Sequence, residues 1–124
     1  IGQKALRVEK TTSGSSSGAY QDIPVEVGKT YKLQTRVLVE ELGGSDETRS
    51  VVFRAQLRDA ANQAISGGTI TLQQITSDTD GEWILLGNTV TIPDGVVFLR
   101  VEIILYRAVG VMWVDDVRMQ VVDL

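Results

Sequence analysis

One stretch of the chain decides the fold: residues 81–121 read GEWILLGNTVTIPDGVVFLRVEIILYRAVGVMWVDDVRMQV. It holds three apolar runs, separated by the turn signals Pro93-Asp94-Gly95 and Val109-Gly110. Runs of valine, isoleucine and threonine between such turns are typical of β-strands. Two adjacent carboxylates, Asp115 and Asp116, interrupt the last run. Aspartate is depleted in strands and is rarely buried alone, so this pair needs a partner.

The same period-two alternation extends along the rest of the chain, and helical periodicity is nearly absent. The Ser/Gly-rich residues 11–18 predict an exposed loop between two strands. Many short strands with regular turns and no significant helix predict an all-β fold, an antiparallel β-sandwich or a jelly roll of about eight strands. The eight predicted strands cover residues 4–10, 19–26, 29–40, 49–59, 67–75, 83–92, 96–107 and 111–122.

Composition limits the classes of function. The 124 residues predict one domain, 1–124, and no run of 18 apolar residues could span a membrane. The absence of Cys and His excludes Cys/His zinc sites, thiol nucleophiles and the Ser-His-Asp triad. A net charge of −4 with scattered basic residues argues against a nucleic-acid partner. We therefore expect a non-enzyme. Because the first residue is Ile1, we expect an excised module or a processed product.

The alternation also sorts side chains by sheet face. In the third, fourth and seventh predicted strands one parity is apolar, and the other carries Arg, Gln, Glu and Tyr. Such a face can simply be solvated. It can also bind a glycan, because guanidinium and amide groups bond sugar hydroxyls and a tyrosine ring stacks on a sugar face. The candidate glycan-binding residues are Gln34, Arg36, Arg54, Gln56, Arg100, Glu102 and Tyr106.

Trp113 is predicted to pack in the core, and Trp83 is predicted to anchor the core or to close one end of the sandwich. Trp83 follows a Gly-Glu turn and opens an apolar strand, and Trp113 shares the parity of Val117 and Met119. No platform of exposed tryptophans is therefore expected, which argues against tight binding of crystalline polysaccharide. Tyr20, at the end of the Ser/Gly loop, could lie at a rim of the fold.

Four segments of the chain carry a resemblance to a known family. Residues 2–8 read GQKALRV, residues 20–31 read YQDIPVEVGKTY, residues 81–93 begin with Gly-Glu-Trp and end with Ile-Pro, and residues 114–117 read VDDV. In this order they resemble the G-x-x-A-L-x-V opening strand, the Q-x-I-x-V-x-x-G-x-x-Y segment, the G-x-W … I-P segment and the closing strand of the jelly-roll carbohydrate-binding modules (galactose-binding-like β-sandwiches). These modules accompany bacterial xylanases and glucanases and recur in phage tail and cell-surface proteins.

The resemblance implies a non-catalytic module that binds polysaccharide, often on a concave sheet, with a structural calcium on the opposite side. Asp115 or Asp116 stands where the family often supplies a calcium ligand, and no other cofactor is implied. Calcium needs six to eight oxygen ligands. This chain begins after the family's usual first strand, whose Glu often helps to bind the ion. The alternative is that the carboxylate accepts backbone hydrogen bonds or pairs with Arg7 or Arg118.

Two functions from different classes follow. The first is weak binding of a polysaccharide or glycan, as a module of a larger extracellular or surface protein. The second is a structural or assembly domain of a phage tail or cell-surface protein, which could be a homo-oligomer. Apolar residues on the polar faces (Leu38, Phe98 and Ile104) would then form a protein interface. A glycoside hydrolase is rejected, because adjacent carboxylates on opposite faces of one strand cannot flank a glycosidic bond.

Overall fold

The computed structural model describes residues 6–10, 17–44 and 49–122. These residues form eight strands and no helix, so the described chain contains no helix long and apolar enough to cross a membrane. The prediction of an all-β fold is confirmed, and every predicted strand overlaps an observed one. The strands are β1 (Leu6–Lys10), β2 (Ser17–Pro24), β3 (Thr30–Gly43), β4 (Ser50–Arg58), β5 (Ala64–Ile75), β6 (Ile84–Thr91), β7 (Phe98–Tyr106) and β8 (Val109–Val122).

The strands form two four-stranded antiparallel sheets. We call them the β3 sheet, in the order β1-β8-β3-β6, and the β7 sheet, in the order β2-β7-β4-β5. Only the β4–β5 connection joins consecutive strands within one sheet. All other connections cross from one sheet to the other, as in jelly-roll sandwiches.

The core lies between the two sheets. The residues predicted to face inward on β3, β4 and β7 are buried there, and Leu57 is partly buried at its margin. The fully buried Thr35 donates a hydrogen bond from its Oγ1 to the carbonyl oxygen of Asp115, at 3.1 Å, so its hydroxyl is satisfied. The inward residues of these three strands are Tyr31, Leu33, Val37, Val39, Val51, Phe53, Ala55, Leu99, Val101, Ile103 and Leu105.

A β-bulge in β8 overturns the prediction for Trp113. Gln34 pairs with Arg118 and Arg36 pairs with Asp115, so Thr35 alone faces two residues of β8. A bulge exchanges the parity of the strand beyond it. Before the bulge Met112 and Val114 enter the core, whereas after it Met119 packs against the core. Trp113 lies opposite Leu38 on the outer face, because parity counted from Met119 does not continue across the bulge.

Trp83 does not pack in the core. It is 44% exposed and directly precedes β6, outside the strand ladder. In β6 the core residues are Leu86 and Val90, and the outward residue Leu85 lies opposite Arg36. Of the two predicted positions for Trp83, the core is therefore wrong, and closure of one end of the sandwich stays a prediction.

The two long sides of the sandwich differ: side-chain hydrogen bonds bridge one, and a cavity remains at the other. On one side, side chains join the edge strands: the Oε1 of Gln73 accepts from the amide of Gly87, at 2.9 Å, and the Nδ2 of Asn88 donates to the carbonyl of Leu72, at 3.0 Å. These bonds cover edges that could otherwise pair with another chain. On the other side, between β2 and β8, a largely apolar cavity of about 200 Å³ remains, with Val117 in its wall.

Candidate functional site

The outer face of the β7 sheet carries most of the predicted glycan-binding residues. Cross-strand register places Arg54 opposite Glu102 and Gln56 opposite Arg100. The edge strand β2 adds two residues that had not been predicted: Tyr20 lies opposite Glu102, and Asp22 lies opposite Arg100. We call this surface the tyrosine face; its residues are Tyr20, Asp22, Arg54, Gln56, Arg58, Arg100, Glu102 and Tyr106.

Asp22 and Arg100 form the strongest pair on the tyrosine face. Arg100 donates two parallel hydrogen bonds, from Nε to Oδ1 at 2.8 Å and from Nη2 to Oδ2 at 3.0 Å. The Nδ2 of Asn62 donates a third to Oδ2, at 3.0 Å. These bonds, the one from Arg100 first, lower the pKa of Asp22 from 3.8 to about 2, and the pKa of Arg100 is raised. Two-pronged guanidinium–carboxylate pairs fix both side chains in orientation.

The other arginines of the tyrosine face are also held by partners. The Nε of Arg54 donates to the Oε1 of Glu102 at 3.2 Å, with 28% and 15% of the two side chains exposed. Arg58 donates to the Oδ1 of Asn62 at 2.7 Å and to the Oε1 of Gln56. The two Nη groups of Arg54 make no hydrogen bond within the described residues, so they remain available as donors.

Tyr20 presents an aromatic ring beside these groups. The guanidinium of Arg100 lies 4.1 Å from the ring centroid, within the range of a cation–π contact. Tyr20 is nevertheless 62% exposed. An open groove of about 280 Å³ adjoins the ring and is lined by Gly18, Arg54, Glu102 and Ile104. Only glycine fits at position 18, because an added Cβ would lie 2.1 Å from the carbonyl oxygen of Ile103.

The structure brings five of the seven predicted glycan-binding residues to one face and separates the other two. Arg54, Gln56, Arg100 and Glu102 are near neighbours on β4 and β7. Tyr106 is on the same face, about 13 Å along β7 from Glu102, and the guanidinium of Arg107 lies 5.2 Å from its ring centroid. The remaining two residues, Gln34 and Arg36, lie on the opposite face of the sandwich.

The expectation that Arg36 shares one groove with Arg54, Gln56, Arg100 and Tyr106 is therefore wrong. The physical reason is sheet membership: β3 is hydrogen-bonded to β6 and β8, whereas β4 and β7 belong to the other sheet. Outward residues of opposite sheets point away from each other across the core.

Sequence reasoning missed Tyr20, Asp22 and Asn62. Tyr20 and Asp22 alternate with the partly buried Ala19 and Ile23 in β2, so sorting that strand by parity would have found both. Asn62 carried no such signal. It lies in the turn after β4 with φ at 57°, a backbone conformation that Asn adopts more readily than most residues. Only the folded turn brings its amide to Asp22.

A second exposed surface lies on the outer face of the β3 sheet. Trp113 is opposite Leu38, and Leu85, 53% exposed, is opposite Arg36. The guanidinium of Arg7 lies 5.7 Å from the Trp113 ring centroid, and Arg7 also pairs with Glu9 at 3.4 Å. We call this surface the tryptophan face; its residues are Lys32, Gln34, Arg36, Leu38, Leu85, Trp113 and Asp115.

The calcium site expected at Asp115 and Asp116 stays a prediction. Asp115 is partly exposed on β8 opposite Arg36, whereas the side chain of Asp116 lies outside the described residues. No group of three or more carboxylates gathers in the part of the chain that the structure describes. Of the alternative partners, Arg7 pairs with Glu9, and Arg118 lies opposite Gln34.

No protein-family model and no curated protein sequence matches the chain, but similar folds occur among solved structures. Tailspike protein 4 of bacteriophage CBA120, in its enzymatically active domain, matches with a TM-score of 0.72 and 15% identity, over 95% of this chain and 15% of that one. A CBM4 carbohydrate-binding module matches with a TM-score of 0.69 and 14% identity, over 98% of this chain and 74% of the other.

A xylan-binding domain of carbohydrate-binding module family 22 matches with a TM-score of 0.67 and 17% identity, over 98% of this chain and 75% of that one. The chain thus spans a small part of the tailspike and about three quarters of each module. At these identities the similarity shows the fold, and the sequence resemblance is confirmed at that level: the chain has the jelly-roll sandwich fold of these carbohydrate-binding modules.

Proposed function

We propose that this chain is a non-catalytic carbohydrate-binding module that binds a neutral glycan on its tyrosine face. One observation carries the proposal: the Tyr20 ring, held by Arg100, stands 62% exposed beside an open groove. Two charged residues, Arg54 and Glu102, line that groove. A pyranose has an apolar C–H face and a rim of hydroxyls, so it needs an aromatic ring next to hydrogen-bond donors and acceptors.

Each group would take a defined part in binding. The sugar ring stacks on Tyr20, and the unengaged Nη groups of Arg54 donate to its hydroxyls. The carboxylate of Glu102 accepts from a hydroxyl while it keeps Arg54 in place. These side chains are already fixed by ion pairs, so little conformational entropy is lost on binding.

The charge around the groove beside Tyr20 favours a neutral ligand. Arg100 is matched by Asp22, and Arg54 is matched by Glu102. An anionic sugar in the groove would meet the carboxylate of Glu102 and no unmatched cation. Arg58, whose partners are the amide oxygens of Gln56 and Asn62, is not part of the groove lining. The same pairing argues against catalysis, because Asp22, with its pKa of about 2, is not protonated at neutral pH and cannot act as a general acid.

A single module would bind weakly. Each hydrogen bond to a sugar hydroxyl replaces one to water and yields a net of about 1 kcal/mol. A few such bonds with one stacked ring give about −4 to −8 kcal/mol, which corresponds to millimolar to micromolar dissociation constants. Repeated copies, or a polymeric ligand, would raise the apparent affinity through multivalency. This fits a module of a larger extracellular or surface protein, which is how we interpret the chain.

A glycan array tests the proposal, with the domain displayed multivalently in calcium and again in EDTA. The first soluble probes are xylan oligosaccharides, because one protein of the same fold is described as a xylan-binding domain. We expect a neutral glycan whose binding falls at least about tenfold in Tyr20→Ala. The matched control is Leu85→Ala, an exposed apolar residue on the opposite face, which should bind normally.

The EDTA arm tests calcium separately. Binding lost in EDTA alone would support an ion at the Asp115–Asp116 strand. A blank array with a stably folded domain would overturn the proposal and favour the assembly domain. The tyrosine face does not offer the apolar interface expected for that alternative, because Ile104 is only 7% exposed and Phe98 is partly buried.

A further inference from the structure

The tryptophan face has an apolar shelf at one end. Trp113 and Leu38 are register partners on β8 and β3, and Leu85 on β6 lies opposite Arg36, one outward position along β3 from Leu38. The three residues therefore occupy neighbouring outward positions on three adjacent strands of one sheet. Leu85 is 53% exposed. Such large apolar side chains grouped on an outer face indicate a binding surface.

Unpaired cations follow the shelf along β3. Arg36 and Lys32 point outward and are exposed, and neither makes a hydrogen bond or ion pair within the described residues. Gln34 lies between them on the same face, and its amide adds a donor and an acceptor. Asp115 is opposite Arg36 but does not form an ion pair with it. The outward row of Lys32, Gln34 and Arg36 on β3 is therefore positive, although the whole chain has a net charge of −4.

This combination selects the chemistry of the ligand. An apolar peptide would cover Leu38, Leu85 and Trp113, but it would also desolvate Arg36 and leave its charge without a partner. A neutral sugar would use the shelf and leave the cations unused. A sugar acid uses both, because its ring stacks on the shelf while its carboxylate takes two parallel bonds from a guanidinium.

We propose that the tryptophan face is a second binding site, specific for a polysaccharide that carries uronate groups. One sugar ring lies on the shelf formed by Trp113, Leu38 and Leu85, and its carboxylate is bound by Arg36. The chain of the polysaccharide continues along β3 past Gln34, and a later carboxylate meets Lys32. This site is separate from the groove beside Tyr20 and does not depend on the function proposed for that groove.

Titration of the whole chain with trigalacturonate tests the proposal, followed by tryptophan fluorescence. Trp113 lies on this face, so bound sugar should shift or quench its emission with saturation. Arg36→Gln should weaken binding at least about tenfold, since it removes a charged two-pronged contact. Lys29→Gln is the matched control: it removes the same charge from an exposed lysine in the β2–β3 turn. Binding to the native chain should weaken as salt is raised.

The variants separate the possible outcomes. Saturable binding that is weakened by Arg36→Gln, unchanged by Lys29→Gln and unchanged by Tyr20→Ala supports the site. Equal losses in Arg36→Gln and Lys29→Gln would mean general charge attraction and would overturn it. Loss in Tyr20→Ala would place the sugar on the tyrosine face and would also overturn it. A fluorescence change that follows protein concentration instead of trigalacturonate would show self-association through this face and contradict the proposal.

Discussion

The two outer faces of this sandwich use similar residues in opposite ways. On the tyrosine face three arginines are held by carboxylates or amides, and one tyrosine stands out from a charged network. On the tryptophan face Arg36 and Lys32 have no partner within the described residues, and the apolar residues Leu38 and Leu85 lie beside Arg36. Paired charges make a rigid and nearly neutral surface, whereas unpaired ones are available to an outside anion. The difference therefore predicts different stabilities, salt responses and ligands for the two faces.

The largest expected effect tests whether Trp113 belongs to a face or to the core. Phe53→Ala should destabilise the protein by about 3 to 5 kcal/mol, as for fully buried aromatic residues. Trp113→Ala should cost only about 1 kcal/mol, because it removes half-buried area and the contact with Arg7. Urea unfolding measures both free energies. A cost for Trp113→Ala as large as that for Phe53→Ala would return Trp113 to the core and remove the tryptophan face.

The next prediction compares the change in stability when one charged side chain is removed from each face. Asp22→Ala leaves Arg100 and Asn62 without their acceptor, so we expect a loss of about 2 kcal/mol. Arg36→Ala removes an exposed side chain that has no partner in the described chain and should change the free energy of unfolding by less than about 0.5 kcal/mol. Both values come from the same urea series. Similar values for the two variants would refute the contrast between paired and unpaired charges.

Low pH should lower the free energy of unfolding, because it protonates Asp22 on the tyrosine face. The pKa of Asp22 is lowered from 3.8 to about 2 in the folded protein, so the unfolded chain binds this proton first as the pH falls. Stability from this group is present above about pH 4 and is lost towards about pH 2, up to a total of about 2 kcal/mol. Asp22→Asn should lack this component. The difference between native and variant unfolding free energies, measured across that range, should shrink as the pH falls; a constant difference would contradict the lowered pKa.

The sequence was sufficient to predict where the strands lie, and which residues of β3, β4 and β7 face the core. Alternation runs without interruption through β3, β4 and β7, so the inward positions of Leu33, Phe53 and Leu99 follow directly from parity. The same parity correctly placed Arg54 and Glu102 on the outside. Local patterns of this kind depend only on neighbouring residues, which is why they can be read from the chain.

The remainder depends on contacts between distant segments. The bulge opposite Thr35 places one extra residue in β8, so that Trp113 and Val117, which have the same parity, do not lie on the same face of the sheet. No residue type at these positions predicts a bulge. Periodicity also does not show which strands share a sheet, so Arg36 and Arg54 were grouped although they lie on opposite faces. The contact of Asn62 with Asp22 joins residues 40 positions apart through a turn. Sequence reasoning therefore predicted Arg54, Arg100 and Glu102 of the candidate site but missed Tyr20, Asp22 and Asn62.

The most direct test of the central claim is a nitrogen-15 amide NMR titration with a neutral glycan, beginning with xylohexaose. Amide shifts should be confined to the tyrosine face around Tyr20, Arg54 and Glu102, and Tyr20→Ala should abolish them. The amides of Arg36 and Trp113 on the tryptophan face should not move. Shifts centred on the tryptophan face, or no shifts with any neutral glycan that the array identifies, would contradict the account.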